Sequence, residues 1–232
     1  MARVVLSIGG SVLVPGDKDT AYISRLAELL KTASSRHKLF VVTGGGRIAR
    51  YYIETGRELG MAEERLDELG IMATRMNARL LSGSLRGHAN SIPPETVEGA
   101  ASLETEFRIV VMGGTAPGWT TDFVAASLAE SVKADRLVNA TSVDGVYSAD
   151  PRKDKKAKML ERATYEELVR LSGSGHDMAG PAVVFDPQAA RLVAKARIPL
   201  FVVNGRDLDA LRNSIEGKRF RGTRVEEGQD EG

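Results

Sequence analysis

The sequence predicts an α/β fold in which helices cover both faces of a mainly parallel sheet. Three observations carry this. The segments that read as strands are short, continuous apolar runs, as in "LFVVT" and "PLFVV", which is the pattern of strands buried on both faces. They alternate with segments whose apolar residues recur at helical spacing, as in repeated strand–helix crossovers. Four of the strands run into glycine or hydroxyl-bearing turns, and open α/β sheets hold ligands beyond the carboxyl ends of their strands.

Residues 4–8 form the first strand, which stops at Gly9-Gly10. Asp19 or Thr20 can cap the next segment. There Ile23, Leu26, Ala27 and Leu30 share one face, opposite Arg25, Glu28 and Lys31, as in an amphipathic helix. Residues 39–43 are the second strand, ended by Gly44-Gly45-Gly46; a helix follows from about 47 to 59 and closes at Gly60. A helical stretch covers about 63–85, with Gly70 and Gly83 inside it, both weak points in such a pattern. A short strand is expected around 89–92. Residues 108–115 are a strand running into glycines, and Asp122 opens a helix carrying Val124, Ala125, Leu128 and Ala129. A strand at 136–141 leads to an ordered loop over 142–163. Helices at 164–172 and 187–196, a strand at 199–203 and a helix at 207–216 complete the series. No linker, repeat or composition break divides the chain, so one domain over 1–225 is expected, with 226–232 a frayed acidic tail.

Composition narrows the function. With 42% hydrophobic and 27% charged residues, the 232-residue chain matches a soluble globular protein. A formal net charge of +1 offers no broad basic field to a nucleic acid. No apolar run nears the ~20 residues needed to span a bilayer, and the N-terminus lacks a charged-then-apolar signal pattern. Zero cysteines exclude disulfides, thiolate metal ligands and cysteine nucleophiles. A cytoplasmic protein with no nucleic-acid or membrane partner is expected.

The chemistry concentrates in the turns. In "TGGGRIAR" (43–50) a glycine run between strand and helix presents backbone N–H groups and the positive end of a helix to an anion, with Arg47 and Arg50 within reach. Taken alone, it could equally be a tight turn with solvated arginines. "MGGTAPGWTTD" (112–122) repeats the pattern, with hydroxyls from Thr115, Thr120 and Thr121. Trp119, the only tryptophan, can stack on a ring or cover the edge of the core. Asp122 can cap the helix or position a metal and hydrogen-bond donors at phosphates. In "TSVDGVYSADPRKDKKAK" (141–158), Tyr147 can flank a base and Asp150 can accept from a ribose or base, while Lys153, Lys155, Lys156 and Lys158 form a positive cluster that is largely solvated. Neither the Walker A pattern nor G-x-G-x-x-G is present. His37, His88 and His176 have no metal-ligand spacing. Several phosphate-binding turns around one crevice point to phosphoryl transfer between two phosphate-bearing ligands.

The motifs "IGGSVL", "GGGRIAR", "DELGIMATRMNA", "VMGGTAPGWTTD", "TSVDGVYSADPRKDKKAK" and "DPQAA", in this order, give the chain a further meaning. From Val4 to about Val225 it resembles the amino acid kinase superfamily, and within it the archaeal type of uridylate (UMP) kinase. The resemblance implies a three-layer α/β/α sandwich and the reaction of ATP with UMP, with Mg²⁺ as cofactor. It implies ATP contacts at Gly9, Gly10, Gly46, Arg50, Thr141, Tyr147 and Asp150. It implies UMP contacts at Gly45, Asp67 and the whole segment Thr115, Ala116, Pro117, Gly118, Trp119, Thr120 and Thr121. Arg65 and Arg75 are candidates for the UMP phosphate but carry no assignment. Asp122, Asp186 and Arg50 are the expected catalytic residues, with no metal site built by the protein alone. A homo-oligomer, a hexamer built from dimers, is implied as well.

Two positions depart from relatives. Many members carry lysine two residues before the first glycine of the first turn, where this chain has Ser7. Some carry lysine at the place of Asp186, whereas UMP kinases resemble this chain in having aspartate. "GGTAPGWTTD" and Asp186 argue against an isopentenyl phosphate or acetylglutamate kinase. Ser7 keeps open a non-catalytic nucleotide sensor or storage protein. It also leaves the missing charge to Mg²⁺, Arg50 or a lysine from 153–158.

Overall fold

The computed structural model describes residues 1–16, 19–149, 155–173 and 185–228. Seven strands form one sheet in the order β3-β2-β1-β4-β6-β7-β5. In chain order they are β1 (Ala2–Ile8), β2 (His37–Thr43), β3 (Ile109–Met112), β4 (Arg136–Thr141), β5 (Arg162–Ala163), β6 (Leu200–Asn204) and β7 (Thr223–Val225). The five strands from β3 to β6 pair in parallel; β6 and β7 pair antiparallel, and β7 and β5 parallel. The sheet is therefore mainly parallel, with a reversed edge.

Nine helices occupy the described residues: α1 (Gly10–Leu13), α2 (Asp19–Ser34), α3 (Gly46–Glu58), α4 (Glu63–Ser84), α5 (Val97–Ser102), α6 (Thr121–Ser131), α7 (Tyr165–Ser172), α8 (Pro187–Ala196) and α9 (Leu208–Glu216). Side chains alternate across a strand, and this alternation splits the core in two. Val4, Leu6 and Ile8 of β1 pack with Leu26 and Leu30 of α2, Leu81 of α4 and Leu211 of α9. Val5, on the other face, packs with Val124 and Leu128 of α6, Leu168 of α7 and Val193 of α8. The result is the expected three-layer α/β/α sandwich.

Local chemistry fixes the helix starts. Thr164 and Glu167 form a capping box on α7, satisfying two otherwise orphaned N–H groups. Asp186 caps α8, with Pro187 in the first turn, where a missing N–H costs nothing. Asp207 caps α9 by accepting from the N–H groups of Asp209 and Ala210.

The turn expected after Gly9 is a single helical turn, α1. The structure departs from expectation at several points. No strand forms at 89–92. Ala89 makes one bridge to Ile109, and Asn90 uses its side chain, accepting from Val111 N–H at 2.7 Å and donating to Val111 O at 2.9 Å. Asn90 thus closes the open edge of β3 with a side-chain amide. The loop over 142–163 ends in β5, and β7 follows α9. The chain also stays attached past Val225: Glu226 N–H donates to Ala163 O at 3.2 Å.

Order along the sheet determines where a ligand can lie. From β1 the chain moves outward to β2 and β3, then returns to β4 and β6 on the other side. The reversal occurs at β1, so the crevice of the topological switch opens beyond Ile8. Gly9, Gly10 and Ser11 stand at that point.

Candidate active site

The first two glycine turns are pressed together. A Cβ at Gly10 would stand 2.5 Å from Gly44 O and 2.6 Å from Gly45 C. Both partners are backbone, so nothing there can yield, and only glycine fits. From α4, buried Asn77 donates to Gly44 O at 2.8 Å and to Gly45 O at 3.3 Å. This draws the carbonyls of the second turn toward α4, on the side away from the crevice floor. Gly9 N–H donates to Ala140 O at 3.0 Å, which corrects the expectation that it serves a phosphate. Among the described residues, Gly10 N–H has no backbone acceptor.

A cavity of about 300 Å³ opens over these turns. It is lined by Gly9, Gly10, Gly45, Gly46, Arg50, Thr121, Asp122 and Thr141 among the expected residues, and by Asn139 and Ser142 besides. Arg50 reaches in from α3, its Nη2 donating to Ser11 Oγ at 3.1 Å.

The floor is acidic. Asp122 does not cap α6; Thr120 does, accepting from Phe123 N–H at 3.1 Å. Asp122 lies in the first turn and accepts from Ser7 Oγ at 2.8 Å. Ser7 can reach it because it shares the face of β1 that carries Val5. Withdrawal from water pushes the Asp122 carboxyl up to about 6, the Asp186 carboxylate adds to the rise, and hydrogen bonds from Ser7 and the Asp186 backbone oppose it. The two expected catalytic aspartates are therefore neighbours, brought together from α6 and the cap of α8.

On the far side, α4 crosses directly over the end of β3. A Cβ at Gly113 would lie 2.7 Å from Arg75 N and from Thr74 Oγ1. Thr74 Oγ1 accepts from Gly114 N–H at 2.6 Å, and its carbonyl accepts from Thr43 Oγ1 at 2.9 Å. One helix thus sets the heights of two strand-end turns. Asp67, also on α4, accepts from Gly118 N–H through Oδ2 at 2.7 Å. That oxygen anchors the loop, leaving Oδ1 for any ribose hydroxyl.

The expected UMP segment is only partly committed. Thr115 Oγ1 is enclosed and has no hydrogen-bond partner. The Thr120 hydroxyl oxygen serves as the helix cap, which leaves its O–H to donate elsewhere. Trp119 is 46% exposed and forms a T-shaped pair with Phe123 at 5.1 Å. Ala116, Pro117 and Gly118 form the exposed or half-buried rim.

Other expected residues stand apart. Tyr147 is half-buried in the next loop, bridged to Met159. Asp150, Lys153 and His176 lie outside the described residues. Lys155, Lys156 and Lys158 are exposed and do not line the cavity. Arg65 pairs with Glu68 at 2.8 Å. Arg75 donates to Gly114 O at 3.1 Å and pairs with Glu95 at 2.9 Å. Asn77, Thr74 and Asn139 were not singled out by the sequence; position after a glycine turn carries no mark of a side chain that reaches it from another helix.

Comparisons with known proteins bear out the fold and the family. The model of the Amino acid kinase family matches residues 2–204. A uridylate kinase of Thermoplasma volcanium is 47% identical over 225 residues, covering 97% of each chain. One of Methanothrix thermoacetophila is 44% identical, covering 92% of this chain and 95% of that protein. The crystal structure of uridylate kinase from Archaeoglobus fulgidus superposes with a TM-score of 0.87 at 40% identity, covering 97% of this chain and all of that one.

Proposed function

The chain belongs to the amino acid kinase family, and on that premise we propose that it transfers the γ-phosphoryl group of ATP to UMP, yielding ADP and UDP for pyrimidine nucleotide synthesis. The observation that carries this reading is the cavity over the paired glycine turns, lined by Arg50 and Asp122 and reached by Thr121 at the end of the Thr115–Thr121 loop, while Thr115, Ala116 and Trp119 line a separate cavity of about 450 Å³. The paired glycine turns offer an anion cradle on one side. The Thr115–Thr121 loop, held by Asp67, offers a nucleotide-sized rim on the other. Asp122 lies on the floor.

Phosphoryl transfer through a loose transition state asks the protein for positioning and charge more than for covalent chemistry. Gly10, Gly46 and Arg50 hold the ATP phosphates, Gly9 shaping the turn, and Gly45 faces UMP. Thr141 and Tyr147 border the adenosine. Asp67 Oδ1 accepts from the UMP ribose, Thr115 Oγ1 bonds the uridylate, and Trp119 covers its base. Transfer is direct and in line, with no phosphoenzyme.

The floor fits a divalent cation carried in with the nucleotide. Burial raises the Asp122 carboxyl to about 6, the neighbouring Asp186 carboxylate adds to the rise, and a serine hydroxyl and a backbone amide oppose it. Asp122 and Asp186 would face Mg²⁺, which when bound supplies positive charge beside the phosphate oxygens.

Self-association is part of the same reading. On α4, Met72, Met76 and Leu80 are 62%, 57% and 50% exposed at spacings of four residues, and so share one face. With Tyr51 and Tyr52 of α3 they form an apolar surface suited to a second copy, within a hexamer in the cytoplasm. Light scattering of the purified protein tests this, and a monomer at micromolar concentration would overturn it.

The activity is tested by measuring ADP release with UMP, CMP, AMP, isopentenyl phosphate and N-acetylglutamate as acceptors. Turnover confined to UMP is expected. Nucleotide binding without turnover on any acceptor would instead identify a sensor or storage protein.

A further inference from the structure

The turn Asn204-Gly205-Arg206, beyond the carboxyl end of β6, stands against the first glycine turn. Gly205 N–H donates to Thr141 O at 2.8 Å, and Gly205 O accepts from half-buried Tyr22 Oη at 2.7 Å. A Cβ at Gly205 would stand 2.7 Å from Val12 Cγ1 of α1, so the two turns are in close contact. Asn204 reaches the opposite way. Its Nδ2 donates to Asp144 Oδ1 at 3.0 Å, in the loop that carries Tyr147, and its Oδ1 accepts from Arg206 N–H at 3.0 Å.

Arg206 completes this link. Its Nη2 donates to Ser11 O at 3.2 Å, while Arg50 Nη2 donates to Ser11 Oγ at 3.1 Å. Two guanidinium groups, from α3 and from the end of β6, thus converge on one neutral residue at the rim of the crevice. Among the described residues neither has a carboxylate partner. Like charges gathered without a counter-charge repel one another unless an anion joins them, and paired guanidinium groups suit phosphate oxygens.

We propose that Arg206 is a phosphate-binding residue for ATP, supplying with Arg50 the positive charge that Ser7 does not carry, and that Asn204 is the positioning residue that ties it to the adenosine loop. This rests on the reading of the crevice as a kinase site. It departs from the sequence in its choice of cation: residues 153–158 are relieved of that role by an arginine some fifty positions further on.

The test is equilibrium nucleotide binding by the full-length protein, which does not depend on the acceptor. Arg206→Ala should weaken ATP binding on the order of 10- to 100-fold, the usual effect of losing a charged hydrogen bond, and leave AMP binding within about twofold. Arg206→Lys should recover part of the loss. Arg212→Ala, on the exposed face of α9, should match the parent. ATP binding by Arg206→Ala within about twofold of the parent overturns the proposal, as does an equal loss for ATP and AMP in a folded variant. Turnover of UMP by the parent protein is measured separately, so a failure of the acceptor assignment leaves this comparison intact.

Discussion

Ser7 Oγ donates to Asp122 Oδ1 at 2.8 Å, joining residues 115 positions apart across the floor of the crevice. Many family members have a lysine where this chain has Ser7. The two side chains meet the same need differently. A lysine brings a full charge beside the phosphates. The serine brings only a dipole, directed at the carboxylate, and on the proposed reading the charge would come from the cation on the nucleotide and from arginines at the rim.

Ser7→Ala therefore removes a donor from a half-buried carboxyl without changing the fold of β1. The loss should cost about 1–3 kcal/mol of stability, seen as a melting temperature lower by roughly 2–8 °C. Turnover should fall as well, because Asp122 loses the contact that fixes its rotamer. An unchanged melting curve and unchanged kcat would remove Ser7 from the site.

The raised carboxyl of Asp122 predicts a pH dependence in the nucleotide-free protein. Its folded-state value, about 6, lies above the ordinary 3.8. The folded protein thus holds this proton more tightly than the unfolded chain. The resulting stability is fully present below about pH 4 and is lost as pH rises through about 6. Asp122→Asn keeps an acceptor for Ser7 but cannot titrate. Between pH 4.5 and pH 7 the parent should lose on the order of 1 kcal/mol relative to Asp122→Asn, solvent contact with the half-buried residue keeping the figure below the roughly 2 kcal/mol that full burial would give over this window. Urea denaturation at both pH values, without divalent cations, measures this. A constant difference between the two proteins would contradict it.

Asn77 gives a prediction about the second glycine turn. Its amide donates to Gly44 O and Gly45 O and is 2% exposed. Asn77→Ala leaves two carbonyls without their donor and should destabilise by about 2 kcal/mol. Asn77→Asp sets a carboxylate against the same two oxygens and should cost more. Both should weaken ATP binding through the displaced turn. Chemical denaturation and ATP titration of the two variants check the order; Asp tolerated better than Ala would show that the amide is not the donor.

How much of this was legible follows from the distances over which the residues act. The five strands from β3 to β6 were readable because each is a continuous apolar run with both faces buried. The edge strands β5 and β7 were not, because two or three residues such as Arg162-Ala163 carry no periodicity. The helical turn α1 was not readable because its one turn, made by the Gly9 and Gly10 carbonyls accepting from Val12, Leu13 and Val14, is too short to show a period. The glycine turns and Asp122 announced themselves by local pattern. Asn77, Thr74 and Arg206 did not, since they act on carbonyl or amide groups 33, 40 and 195 positions away. Any residue type can present a backbone oxygen, so such contacts leave no trace in the sequence around them.

Asp67 offers the sharpest separation of the two nucleotide sites. One of its oxygens holds Gly118 N–H at 2.7 Å; the other is assigned to the UMP ribose. Asp67→Asn can still accept from Gly118 through its single carbonyl oxygen, but then presents an amide donor to the ribose. Asp67→Ala loses both contacts and frees the Gly118 turn, whose positive φ of 78° suits it to a tight reversal. KM for UMP should therefore rise in both variants, and more in Asp67→Ala, by on the order of tenfold or more for loss of a charged acceptor. KM for ATP should stay within about twofold, because Asp67 stands on the far side of the crevice from the paired glycine turns. Steady-state kinetics with each substrate varied in turn decide the point. A matching rise in both KM values would mean that Asp67 supports the crevice as a whole, and the ribose contact would have to be withdrawn.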